Sequence, residues 1–167
     1  MKNKTMITFV LLVSTLSTGL IAGLFYGYSC SVNPALGRLP DTEYLSAMQS
    51  INRVILNPVF FATFMGTVFL LPLSTWLSYQ GQPSPQFWCF LAAAVVYILG
   101  TFGITIGGNV PLNEALDKIN IAGSSAEELA RHRGLFEVKW NMLHNIRTVA
   151  NIISALLAIL GCLAGSK

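Results

Sequence analysis

Residues 54–113 decide the fold: VILNPVFFATFMGTVFLLPLSTWLSYQGQPSPQFWCFLAAAVVYILGTFGITIGGNVPLN carries no Asp, Glu, Lys or Arg over 60 consecutive positions. A water-soluble domain cannot leave such a stretch uncharged and stay solvated. Soluble chains average about 25% charged residues, and this one has 10%. Near the middle, Gln80 to Gln86 (QGQPSPQ) is a polar turn with two prolines, which divides the stretch into two apolar arms. Each arm has roughly the 20 residues a helix needs to cross ~30 Å of hydrocarbon. The reading is two membrane spans, about 58–79 and about 87–107, joined by a short turn.

Working outward, residues 5–37 and 148–166 are also free of Asp, Glu, Lys and Arg. They supply a first span at about 6–28 and a last at about 145–165. The first run is longer than a secretory h-region, so it reads as a retained helix. The expected fold is all-α: an integral membrane four-helix bundle forming a single domain over 1–167. Other classes fall away on composition. An apolar fraction of 53% is too high for disorder. No basic stripe stands clear of acids, which argues against nucleic acid. Cys30, Cys89 and Cys162 are too few and too scattered for a disulfide scaffold.

Four spans place both long connections, 29–57 and 108–144, on one membrane face, with the termini and the short turn on the other. Counting Arg147 with its neighbours, 14 of the 17 charged side chains belong to the long-connection face, including all seven acids. The polar chemistry is therefore expected at that end. Orientation has two readings. Lys2 and Lys4 put the N-terminus inside, whereas seven of the ten Lys and Arg lie on the long-loop face, and the rule counts those residues rather than net charge. The first-helix convention favours the N-terminus inside, in a multi-pass plasma (inner) membrane protein. Both connections predict short amphipathic helices. Tyr44, Leu45, Met48, Ile51 and Ile55 recur at helical spacing after an Asp41 or Thr42 cap. Asn113 is read as the cap of a helix over Glu114 to Ile119, ended by Gly123. Ser125 to Glu128 reads as a capping box, from which one helix of roughly 39 residues, ~58 Å long, runs through the fourth span.

Inside the bundle, Gly19, Gly23 and Gly27 form a small-xxx-small face for close helix packing or for a homo-oligomer contact. The alternative reading leaves room for a flat ligand near Gly27. Trp76, Tyr79 and Trp88 read as an interfacial aromatic belt beside the short turn. Three Asn–Pro features share one depth: Asn33-Pro34, Asn57-Pro58 and Asn109-Val-Pro111-Leu-Asn113. They read as caps at proline-interrupted helix ends, or as amides converging on a polar pocket. The densest signal is Trp140-Asn-Met-Leu-His144-Asn-Ile-Arg147-Thr148, whose i,i+3 and i,i+4 spacings align Trp140, His144, Arg147 and Thr148 on one face. The bland account has Arg147 snorkelling to the interface. A metal centre is not expected: His132 and His144 are the only histidines, and there is no Glu-x-x-His or Cys-x-x-Cys pattern.

Taken in order, Gly23-Leu-Phe-Tyr-Gly27-Tyr-Ser, Pro34-Ala-Leu, Ala47-Met48-Gln49-Ser-Ile-Asn52, Asn57-Pro58-Val-Phe60, Asn109-Val-Pro111-Leu-Asn113 and Trp140-x3-His144-x2-Arg147-Thr148 carry a resemblance. The chain resembles the anthrone oxygenase-like family of small four-helix membrane proteins. That resemblance implies oxidation of a phenolic or anthrone-like compound by O₂ with no metal or flavin cofactor, so its partners would be a hydrophobic small molecule, O₂ and the bilayer. On that basis His144 is the candidate base and Arg147 the group that stabilises the developing oxyanion. Trp140, Tyr28, Asn52, Asn57, Asn109 and Asn113 are the candidate substrate-binding residues. The competing readings are a non-catalytic protein that binds a quinone-like or lipid-derived molecule, and a structural or assembly partner.

Overall fold

The computed structural model describes residues 4–165; Lys2 and Lys167 lie outside that range. Among the described residues there are five helices and no strand. Helix α1 is Lys4–Leu36, α2 is Asp41–Val54, α3 is Pro58–Ser78, α4 is Pro85–Asp117 and α5 is Ala126–Ala164. All except α2 are long and apolar enough to cross a membrane. They form a ring in which α1 and α4 each pack against both α3 and α5, so α3 and α5 lie across the bundle from each other.

Two cores follow from the sequence pattern. The membrane core is built from buried apolar side chains such as Ile21, Phe64, Leu71, Phe90 and Tyr97. The second lies at the long-connection end, where Tyr44, Leu45 and Met48 of α2 pack with Leu116, Leu129 and Phe136. The 3–4 spacing expected for α2 is therefore its buried stripe. Its cap differs from expectation: Pro40 precedes the helix and no side chain caps it, while Asp41 and Glu43 sit in the first turn, where carboxylates oppose the helix dipole favourably. The Ser125–Glu128 capping box is present, and α5 runs unbroken for 39 residues.

Two helices outrun their expected ends. The first does not stop at 28, nor the third at 107. Wide π-type turns at Tyr28–Val32 and Thr105–Asn109 carry α1 through Pro34 and α4 through Pro111, and a further one lies at Tyr97–Gly103. Proline cannot donate to the carbonyl one turn back and crowds it; a locally widened turn takes up that misfit without ending the helix. Asn33 and Asn109 are consequently not caps, and the separate helix expected after Asn113 is the last part of α4. Only Asn57 behaves as expected, accepting from the Phe60 N–H at 3.0 Å.

The close-packed glycines are not those of the small-residue stripe. A Cβ placed on Gly19, Gly23 or Gly27 meets nothing within 4 Å, so no helix among the described residues covers that face. At Gly100 it would lie 2.6 Å from the Ala150 Cβ, and at Gly161 2.8 Å from the Phe90 ring. Both mark the α4–α5 contact, where the backbones approach closely. At the other end, Trp76, Tyr79 and Trp88 are exposed beside the short turn, as an interfacial belt requires.

Candidate functional site

One face of α5 carries the site. Trp140, His144, Arg147 and Thr148 are all buried, with His144 at 0% and Arg147 at 8% exposure. Arg147 therefore does not snorkel. Helical spacing stacks the Trp140 and His144 rings, with centroids 5.0 Å apart and planes 7° from parallel. His144 Nε2 lies 3.2 Å from the Phe25 carbonyl and 3.1 Å from Ser29 Oγ. A carbonyl can only accept, so the network assigns the proton to Nε2. Nδ1 is then the acceptor, and Arg147 meets it with Nε at 3.3 Å and Nη2 at 3.1 Å. Arg147 Nη1 donates to Thr105 Oγ1 at 3.2 Å. The guanidinium lies 4.4 Å from the Phe25 ring centre and 5.3 Å from that of Trp140.

The electrostatics are unusual for a buried arginine. A guanidinium stays charged in proteins, and buried charges are ordinarily paired. Among the described residues the ion pairs are Arg53–Asp117, Arg133–Asp41 and Arg133–Glu137, and none involves Arg147. Its partners are a neutral imidazole, a hydroxyl and two aromatic faces. The site thus holds one positive charge with no carboxylate to balance it.

This group forms part of the wall of a cavity of about 690 Å³, counting its open mouth. His144, Arg147 and Thr105 supply the polar wall; Phe25, Tyr28, Phe60, Phe64 and Trp140 supply aromatic walls; Ile51 and Asn52 of α2 close the long-connection end. The mix of apolar walls with a few convergent polar groups suits a small flat ligand. The Asn52 Nδ2 atom is buried without a partner among the described residues.

Of the residues singled out in the sequence, His144, Arg147, Trp140, Tyr28, Asn52 and Asn113 meet on this cavity. Asn113 accepts from the Trp140 indole N–H at 2.8 Å and so fixes the ring. Asn109 and Asn57 are not on its wall. Asn109 is fully buried and donates to the Trp140 carbonyl at 3.2 Å. The Asn57 amide is taken up by its own chain, capping α3 and donating to the Val54 carbonyl at 2.9 Å.

Sequence reasoning missed Phe25, Ser29 and Thr105, because contacts between helices distant in the chain leave no local spacing signal. It also missed Arg133, whose i,i+4 partner Glu137 was visible. Arg133 donates to Glu137 at 2.7 Å, to Asp41 at 3.0 Å, and to the Leu39 and Gly37 carbonyls at 2.7 and 2.9 Å. It also lies over the Tyr44 ring at 4.4 Å. Burial pushes the Tyr44 phenol up from its ordinary range, so that ring stays neutral beneath the cation. Arg133 thereby fastens α2, and the roof of the cavity, to α5. No cluster of three or more His, Cys, Asp or Glu suited to a metal occurs among the described residues.

A family model described as anthrone oxygenase matches residues 55–157. That segment includes α3, α4 and the α5 face with Trp140, His144 and Arg147, but not Phe25, Tyr28 or Asn52. No curated protein and no solved structure gave a significant match.

Proposed function

This chain belongs to the anthrone oxygenase family, and we propose that it oxidises an anthrone-like or phenolic substrate with O₂, without a cofactor, in the plasma (inner) membrane. The observation that carries this reading is the acid-free pair of Arg147 and His144 in the wall of an aromatic cavity. An anthrone carries a weakly acidic C–H₂ opposite its carbonyl. Removal of one proton puts negative charge on the carbonyl oxygen, and a buried guanidinium without a carboxylate partner is placed to stabilise that charge. The electron-rich anion transfers electrons to O₂ and forms a C–OO⁻ bond. Protonation and loss of water from the hydroperoxide give the second carbonyl. The balance is one CH₂ and one O₂ in, one C=O and one H₂O out.

His144 serves as the base through Nδ1. In the free protein Arg147 occupies that lone pair. A substrate oxygen that draws the guanidinium N–H groups to itself frees Nδ1 for the proton, so binding and activation of the base are coupled. Trp140 and Tyr28 flank the flat ring system, and Asn52 donates to an oxygen at its far end.

The second reading, a non-catalytic protein binding a quinone-like or lipid-derived molecule, draws support from the same engagement of both His144 nitrogens. One experiment separates the two. Purified protein is given emodin anthrone and O₂, and quinone absorbance is followed with O₂ uptake. The oxygenase reading expects equimolar quinone and O₂ uptake, and a loss of roughly 10²–10⁴ in rate for His144→Ala. Unchanged turnover in that variant removes His144 as the base. Absence of turnover with several anthrones, alongside tight binding of the quinone, favours the binding protein.

A further inference from the structure

We propose that the cavity is loaded sideways, from the hydrocarbon of the bilayer, through a gap between α3 and α4, and that its ligand is therefore one already dissolved in lipid. The proposal rests on the reading that the cavity takes a small molecule, and it adds the route.

Three observations converge on that gap. Of the cavity's wall residues, only Leu56, Phe61 and Ile106 are exposed, at 63, 42 and 48%. All three are apolar; every charged or polar wall residue is more deeply set. Leu56 and Phe61 flank the start of α3, and Ile106 lies in the π-type turn Thr105–Asn109 of α4. The two helices pack together along Pro85–Gly103 but have little contact at Thr105–Asn109. Their divergence opens the wall at the level of Arg147's partner Thr105.

At the long-connection end the cavity is covered by packed side chains. Above the cavity lies the second core, where Leu45, Met48 and Leu116 are at most 1% exposed. Arg133 ties that core down through four hydrogen-bonded groups on α5 and the Gly37–Asp41 segment. A ligand arriving from water would have to undo this packing. One arriving from lipid passes only the apolar side chains of Leu56, Phe61 and Ile106, so it exchanges one apolar surrounding for another until it reaches the polar wall. This separates the two parts of recognition: the mouth selects for partition into lipid, and the interior selects for an oxygen that Arg147 can hold.

The test reads access without relying on turnover. Leu24, a cavity residue outside the proposed machinery, is replaced in a Cys30→Ser, Cys89→Ala, Cys162→Ala background to give Leu24→Cys. The protein is reconstituted in phosphatidylcholine vesicles with reagent on both sides. N-phenylmaleimide, which partitions into lipid, is compared with the charged 2-sulfonatoethyl methanethiosulfonate. Each rate is normalised to that of an exposed control, Ser46→Cys. The expected result is at least a tenfold preference for the maleimide at Leu24→Cys. Adding Ile106→Trp slows the maleimide at least tenfold and leaves Ser46→Cys unaffected. Leu56→Trp serves the same purpose if Ile106→Trp does not fold. Fast labelling of Leu24→Cys by the sulfonate, no labelling by either reagent, or no slowing by the tryptophan variants overturns the lipid route. Failure of the oxygenase reading appears separately, as absence of quinone from a protein whose labelling pattern is intact.

Discussion

Replacing Arg147 by methionine tests the central idea that this charge serves the ligand rather than the fold. Methionine keeps the length and the apolar stem, and its thioether packs well between the Phe25 and Trp140 rings. The substitution removes three donor contacts, one to Thr105 and two to His144 Nδ1. It also relieves the membrane of an arginine, whose insertion costs ~2.5–3.5 kcal/mol at a helix centre. Exchange of buried charge for apolar volume is generally neutral or stabilising, by about 1–4 kcal/mol. The expected outcome is an unfolding midpoint that is unchanged or raised. Anthrone turnover should instead fall by about 10²–10³, the loss typical of removing an oxyanion donor. Thermal unfolding by tryptophan fluorescence and quinone formation per folded molecule measure the two effects on one preparation. Arg147→Lys should recover little, because a single ammonium cannot address Thr105 and His144 together as the planar fork does. A stability loss above about 3 kcal/mol with turnover retained would refute the argument and make Arg147 a structural residue.

Other substitutions probe the surroundings. Asn52→Leu removes a donor that has no partner among the described residues, so stability should hold while KM rises by roughly 5–30-fold, the worth of a hydrogen bond of ~1–2 kcal/mol. Arg133→Ala should release the roof: limited proteolysis between Gly37 and Asp41 becomes faster, and unfolding shifts by about 1–3 kcal/mol. Gly100→Val forces a branched side chain against Ala150 and should destabilise by about 1–3 kcal/mol. Gly23→Val faces open space and should cost under about 1 kcal/mol in the monomer, as thermal unfolding in detergent will show.

The fold was largely legible because its signal is one of solvation. Sixty uncharged residues with a polar turn between them admit few arrangements, and the capping box of Ser125 marks the start of α5 by local hydrogen bonding alone. The extended ends of α1 and α4 were hidden because proline reads as a stop; nothing in the chain's composition announces the widened turns that let Pro34 and Pro111 pass. The α5 face of the site was visible through spacing, since Trp140, His144 and Arg147 are one helix turn apart. Their partners were not. Phe25 contributes through its carbonyl and Thr105 through its hydroxyl, and both depend on which helices are neighbours. The Asn–Pro groups, expected at one depth, have different destinations: Asn113 reaches the cavity, whereas Asn57 is claimed by a helix end and Asn109 by the Trp140 carbonyl. The glycine stripe meets no neighbouring helix among the described residues; periodicity finds a smooth face without saying what lies against it.

The unbroken run of α5 has a consequence for how this protein tolerates change in length. Arg133, which holds the roof, and Arg147, in the cavity wall, ride on one rigid rod about 21 Å apart. Each inserted or deleted residue between them would turn one relative to the other by roughly 100°, swinging either the clamp off the Gly37–Asp41 segment or the charge out of the cavity wall. The spacing works as a fixed gauge, in which sequence can drift but residue number cannot. The Gln80–Gln86 turn, at the opposite end, sets no such phase. Grafted segments, tags or natural insertions should therefore be accepted there and rejected between Arg133 and Arg147.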